Sequence, residues 1–189
     1  KKVTRKTMIT RVTKPRVTHI LPRGDWLDES GPVVQSAIPE FMGSLASEKR
    51  LTRLDLANWL MDANKGAGKL TARVLANRLW YLLFGQGLAP DLTDFGGQGQ
   101  PPWHPELLDN LSISLIEKNW RIKALLKEIV LSRTYRQTSS SSGKKISFQT
   151  SYRLPAETIR DNALAISGLL VREVGGASVK PYQPAGYYR

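Results

Sequence analysis

The sequence predicts a mainly α fold of about five helices, joined by long Gly/Pro-rich loops and preceded by an extended basic N-terminal arm. Three observations carry that expectation. Apolar residues recur at helical spacing in successive stretches after Lys49, clusters of glycine and proline punctuate those stretches, and the first residues combine Lys, Arg, Thr and Val with no helical pattern. At 189 residues the chain can bury a substantial core. Its divisions are an extended basic arm over 1–24, an irregular connector over 25–48 and a helical domain over 49–189.

The arm holds most of the charge imbalance. Lys and Arg number 28 against 16 Asp and Glu, a net charge of +12, and Lys1, Lys2, Arg5, Lys6, Arg11, Lys14, Arg16 and Arg23 all precede the first carboxylate, Asp25. Such a run suits a polyanion or an acidic protein surface, and it also suits a solvated linker. Its Val, Ile and Thr content favours extended backbone. No aromatic residue precedes Trp26, so the arm lacks the rings on which unpaired bases stack. From Leu21 to Pro39 the Pro, Gly and Asp content reads as irregular chain, and Arg23-Gly24-Asp25 is read as part of it rather than as an adhesion tripeptide.

The first helix is expected from about Lys49 to Met61, with Ser47 as N-cap and Leu51, Leu54, Ala57 and Leu60 forming its buried stripe. Asn64 to Gly68 breaks it. That loop lacks the first glycine and the preceding strand of a phosphate-binding loop. The second helix, about Leu70 to Phe84, places Leu75, Leu79, Leu82 and Leu83 on one face and Arg73, Asn77, Trp80 and Phe84 on a second stripe, with Arg78 beside it. Arg73 and Asn77 are expected to bond loop carbonyls, with cation-π contact to the aromatic rings.

Gly85 to Trp103 is too long for an ordinary connection, so it is either functional or pinned by its neighbours. Asp94-Phe95-Gly96 copies a kinase triplet without the other kinase motifs, and Asp94 is read as capping a turn. Pro105 fits the first position of a third helix with Leu107, Leu108, Leu111 and Leu115 inward, ended by Asn119-Trp120. In the fourth helix Ile122, Leu125, Leu126, Ile129 and Val130 face the core while Lys123 and Lys127 point out. Thr138 to Lys145 is a low-complexity loop, whose Ser141 and Lys144 match a nucleophile spacing by chance. A fifth helix should begin near Pro155, bury Ile159, Ala163, Ile166 and Leu170, and end at Gly175-Gly176. Arg153, Glu157, Arg160 and Asp161 are expected to form a salt-bridge network on it.

The ordered motifs Leu70-Thr-Ala-Arg-Val, Asn77-Arg-x-Trp80, Phe84-Gly-x-Gly-Leu88, Asp94-Phe-Gly96, His104-Pro-Glu-Leu-Leu-Asp109 and Arg153-x-x-x-Glu157-x-x-Arg160-Asp161 resemble a domain of unknown function found in large secreted bacterial proteins. The resemblance runs from about Pro15 to Tyr188. Such proteins are typical of planctomycetes and verrucomicrobia, and many also carry a cytochrome c-like haem domain. The resemblance therefore implies a periplasmic, cell-envelope or extracellular location, other domains or subunits of a larger assembly as partners, and haem c in associated domains. It further implies that the chain is a portion of a longer protein, as does the lack of an initiator Met. The chain departs from the family pattern at Lys65 to Lys69, at Asn110 where a Trp is usual, and in a shortened segment before Arg153.

Candidates for chemistry are few. With no cysteine there is no thiolate metal site and no Cys-x-x-Cys-His haem attachment, so no cofactor is expected in this chain itself. His19 and His104 are the two imidazoles, without a His-x-x-His pair. His104, Asp94, Glu106 and Asp109 are the catalytic candidates, His104 with Glu106 and Asp109 allowing a single-His, two-carboxylate site on one helix turn, but a helix-capping or loop-bonding His104 fits better and no metal site is expected. The same carboxylates with Glu157 and Asp161 are the candidates for glycosidase chemistry. A non-catalytic structural or interaction module fits these residues better. The alternatives are part of a polysaccharide-active or redox enzyme completed by further segments, and polyanion binding through the arm.

Overall fold

The computed structural model of the protein describes residues 8–45, 47–138 and 152–173, with Gly175 and Ala185. The expectations for Lys1, Lys2, Arg5, Lys6, Ser141, Lys144 and Gly176 concern residues outside that set. Within it the chain is mainly helical, with five α-helices: α1 (Arg53–Met61), α2 (Gly68–Phe84), α3 (Pro105–Glu117), α4 (Ile122–Leu131) and α5 (Ala156–Ile166).

Helix α1 starts one turn later than Lys49. Thr52 is the cap, because its hydroxyl accepts the Asp55 N–H while the Asp55 carboxylate accepts the Thr52 N–H at 2.7 Å, a reciprocal capping box. Those bonds hold the Asp55 carboxyl below its ordinary value, chiefly through the Thr52 hydroxyl. Ser47 instead accepts the Lys49 N–H in a local turn. The expected stripe also turns outward, since Leu54 and Leu60 are exposed and Trp59 alone is buried on this helix. Trp59 is buried because the α1–α2 turn folds tightly under it: Ala67 N–H donates to the Trp59 carbonyl, and Gly66 and Gly68 N–H both donate to the Asp62 carbonyl.

The core lies between α2, α3 and α4. Helix α2 packs most extensively on α3, with Ala72 and Ala76 letting the two backbones approach and Leu79, Trp80 and Phe84 filling the space beyond. From α3 come Leu108, Leu111 and Leu115, and from α4 Leu125 and Ile129. Leu82 is exposed, contrary to expectation, because the buried face of α2 is rotated toward the Asn77–Trp80–Phe84 stripe, leaving Leu75 and Leu83 only partly covered. Ser112 is buried among the leucines and discharges its hydroxyl onto the Leu108 carbonyl at 2.6 Å.

Two left-handed residues, Asn119 and Trp120, turn the chain from α3 into α4. Such a conformation is strained for Trp; it persists because Trp120 N–H reaches the Leu115 carbonyl and its ring packs on the core. Outside, Lys118 bridges Ser114 and Glu128, its ammonium 2.8 Å from the carboxylate, and this pulls the Glu128 carboxyl below its ordinary value.

Helix α5 ends at Ile166, not at Gly175-Gly176, where Gly168 takes a left-handed conformation. No residue of α5 is buried, so Ile159, Ala163 and Ile166 face outward among the described residues. The arm pairs briefly with the connector: His19 and Val33 form an antiparallel bridge, with Ile20 N–H on the Pro32 carbonyl and Val34 N–H on the Thr18 carbonyl. No helix of the described residues is long and apolar enough to cross a membrane.

Candidate functional site

Of the polar motif residues of α2, Asn77 holds the loop that follows the helix. Asn77 is fully buried. Its amide donates to the Ala89 carbonyl at 3.0 Å and its oxygen accepts the Ala89 N–H at 2.9 Å, the two-way pairing that a neighbouring β-strand would offer. One side chain thereby satisfies a backbone unit that the interior would otherwise strand. Leu88 and Ala89 are drawn inside with it, and the Trp103 N–H closes the loop onto the Leu88 carbonyl.

The two glycines of Phe84-Gly-x-Gly-Leu88 have separate reasons. Gly85 ends α2 in a left-handed conformation, φ 73°, beneath the ring of Tyr152. At Gly87 a Cβ would come within 2.4 Å of the Ala89 carbonyl oxygen and 2.8 Å of the Asn77 amide nitrogen, so the clamp closes only over glycine. Gly87→Ala should cost about 1–3 kcal/mol by overpacking. A lowered urea midpoint at unchanged slope is the expected readout; an unchanged midpoint would mean that the loop shifts aside freely.

Arg73 lies one turn before Asn77 and pairs across to α3, its Nε 2.9 Å from an Asp109 carboxylate oxygen. The charges meet without an aligned hydrogen bond, and the buried Nε–H has no hydrogen-bond partner of its own. Both side chains are over a third exposed, so the pair orients α2 on α3 more than it stabilises them. Among the described residues Arg73 thus bonds neither a loop carbonyl nor an aromatic ring. Trp80 and Phe84 stack on one another at 4.0 Å, and Tyr135 meets Phe84 edge-on at 5.7 Å. Arg78 points to solvent.

Asp94 caps a turn, accepting the Gly96 N–H at 2.8 Å. Asp91 does the same for Thr93 and Asp94, and the Thr93 hydroxyl holds the Asp91 carboxyl below its ordinary value. His104 occupies the N-cap position of α3, but its side chain makes no capping bond; with Glu106 and Asp109 it lies exposed. No group of three His, Cys, Asp or Glu among the described residues could hold a metal ion. Of the expected α5 network, the contact among the described residues is between neighbours, Arg160 and Asp161 at 3.3 Å, and no ion pair joins Arg153 or Glu157 to another described residue. His19 donates from Nδ1 to the Gly31 carbonyl, 2.8 Å away, within the arm–connector pair.

The partners of the family motifs were not foreseeable from periodicity. Ala89 offers only its backbone, and Tyr152, whose hydroxyl donates to the Leu82 carbonyl at 3.0 Å, lies 70 residues away in sequence. Only the glycine spacing signalled a close approach.

The molecule is thus an α-helical domain in which a buried asparagine on the central helix holds a long Gly/Pro-rich loop. It belongs to the family described as PSD1, protein of unknown function (DUF1553), which matches residues 52–189. No curated protein and no solved structure matches the chain.

Proposed function

We propose that this chain is a non-catalytic structural and interaction module of a secreted or envelope-associated assembly, in which haem-bearing electron-transfer domains are neighbours. The observation that carries this reading is how the motif residues are used. Asn77, Gly87, Asp94 and the Arg73–Asp109 pair hold the chain's own backbone or helices, and His104 and Glu106 are exposed. A catalytic site needs such groups aimed at one point. Exposed Arg11, Lys14 and Arg16 on the arm support a second reading within the first, docking onto an acidic surface or polyanion.

The test compares the intact chain with a deletion of residues 1–24. The deletion should keep its thermal midpoint and lose salt-sensitive association with copurifying proteins, among which visible absorption should reveal a haem carrier. Unfolding of the helical core by the deletion would make the arm structural. Turnover of a polysaccharide or redox substrate by the purified chain would overturn the module reading.

A further inference from the structure

Resting on that interaction reading, we propose that a groove between the arm, the connector and Arg50 binds an extended peptide segment of a partner protein, with carboxylate and aliphatic side chains in alternation. The groove encloses about 410 Å³. Lys14, Arg16 and Arg50 line it, with no carboxylate in the lining and none of the three in an ion pair with a described residue. Val17, Val33 and Val34, which are 64%, 53% and 40% exposed, share that lining. Cations set around branched aliphatic side chains match a ligand that is both anionic and apolar.

The backbone narrows the ligand further. The arm–connector bonds occupy Thr18, Ile20, Pro32 and Val34, whereas the backbone of residues 14–17 and 35–36 makes no hydrogen bond to another described residue. Those open N–H and C=O groups, beside the single His19–Val33 bridge, are available to a further extended strand. Pro15 is the one position there without a donor. Nucleic acids and glycans fit less well, because the lining contains no aromatic ring for bases or sugars to stack on.

The probe is a fluorescein-labelled octapeptide alternating glutamate and valine, titrated with the full chain at low salt. Saturable binding is expected, weakened by added salt and about two- to fivefold by Arg50→Ala, the range for one exposed ion pair. Arg50→Glu and Val34→Asp should each abolish it while circular dichroism shows an unchanged thermal midpoint. An octapeptide alternating lysine and valine should not bind. The proposal is overturned by absence of saturable binding, by binding indifferent to Arg50→Glu, or by preference for heparin or single-stranded DNA over the acidic peptide. Retention of copurifying partners by Arg50→Glu would reject the groove and leave the module reading standing; catalytic turnover would reject the module reading alone.

Discussion

Leu125→Ala should lower the free energy of unfolding by about 2–5 kcal/mol, the usual range for emptying a closed leucine site. Leu125 is 0% exposed and sits against Leu108 and Leu115, which are equally enclosed, so the cavity has little room to collapse. Leu126, its neighbour on the same apolar series, is only partly buried, and Leu126→Ala should cost clearly less. Urea denaturation of the two variants checks both values. Equal losses would mean that α4 is rotated relative to this packing.

Asn77→Asp should be as damaging, at about 3–5 kcal/mol near neutral pH, because it leaves an uncompensated charge in the interior. The substitution removes the donor to the Ala89 carbonyl and sets two oxygens face to face. Burial raises the folded-state pKa of the introduced carboxyl above its unfolded value of about 3.9. The protonated form is therefore the tolerated one: relative to the parent protein at each pH, the deficit is small below the unfolded pKa and grows as pH rises through the folded one. Paired urea titrations at acid and neutral pH measure it. A pH-independent deficit would place the side chain in water rather than in the core.

Helical periodicity made the number and order of the helices legible, and the α3 and α4 faces most of all. It misjudged elements whose apolar residues have no described partner. Leu54, Leu60, Ile159 and Ile166, and Ile122 at the start of α4, keep helical spacing yet lie exposed, because periodicity reports amphipathicity and not what covers the apolar side. At α1 the reciprocal Thr52–Asp55 bonds outcompeted the hydroxyl of Ser47 for the cap. The polar stripe of α2 stood out in the sequence, but its geometry depended on Ala89 and Asp109, partners that no local pattern marks. Charge counting located the arm; it could not show that Arg50, from the approach to α1, shares a groove with Lys14 and Arg16.

Tyr135 and Tyr152 both seat their rings at the same end of α2, the first edge-on to Phe84, the second over Gly85 with its hydroxyl on the Leu82 carbonyl. Burial there raises the Tyr152 hydroxyl above its ordinary pKa. The chain thus leaves and rejoins the helical core at nearly one point.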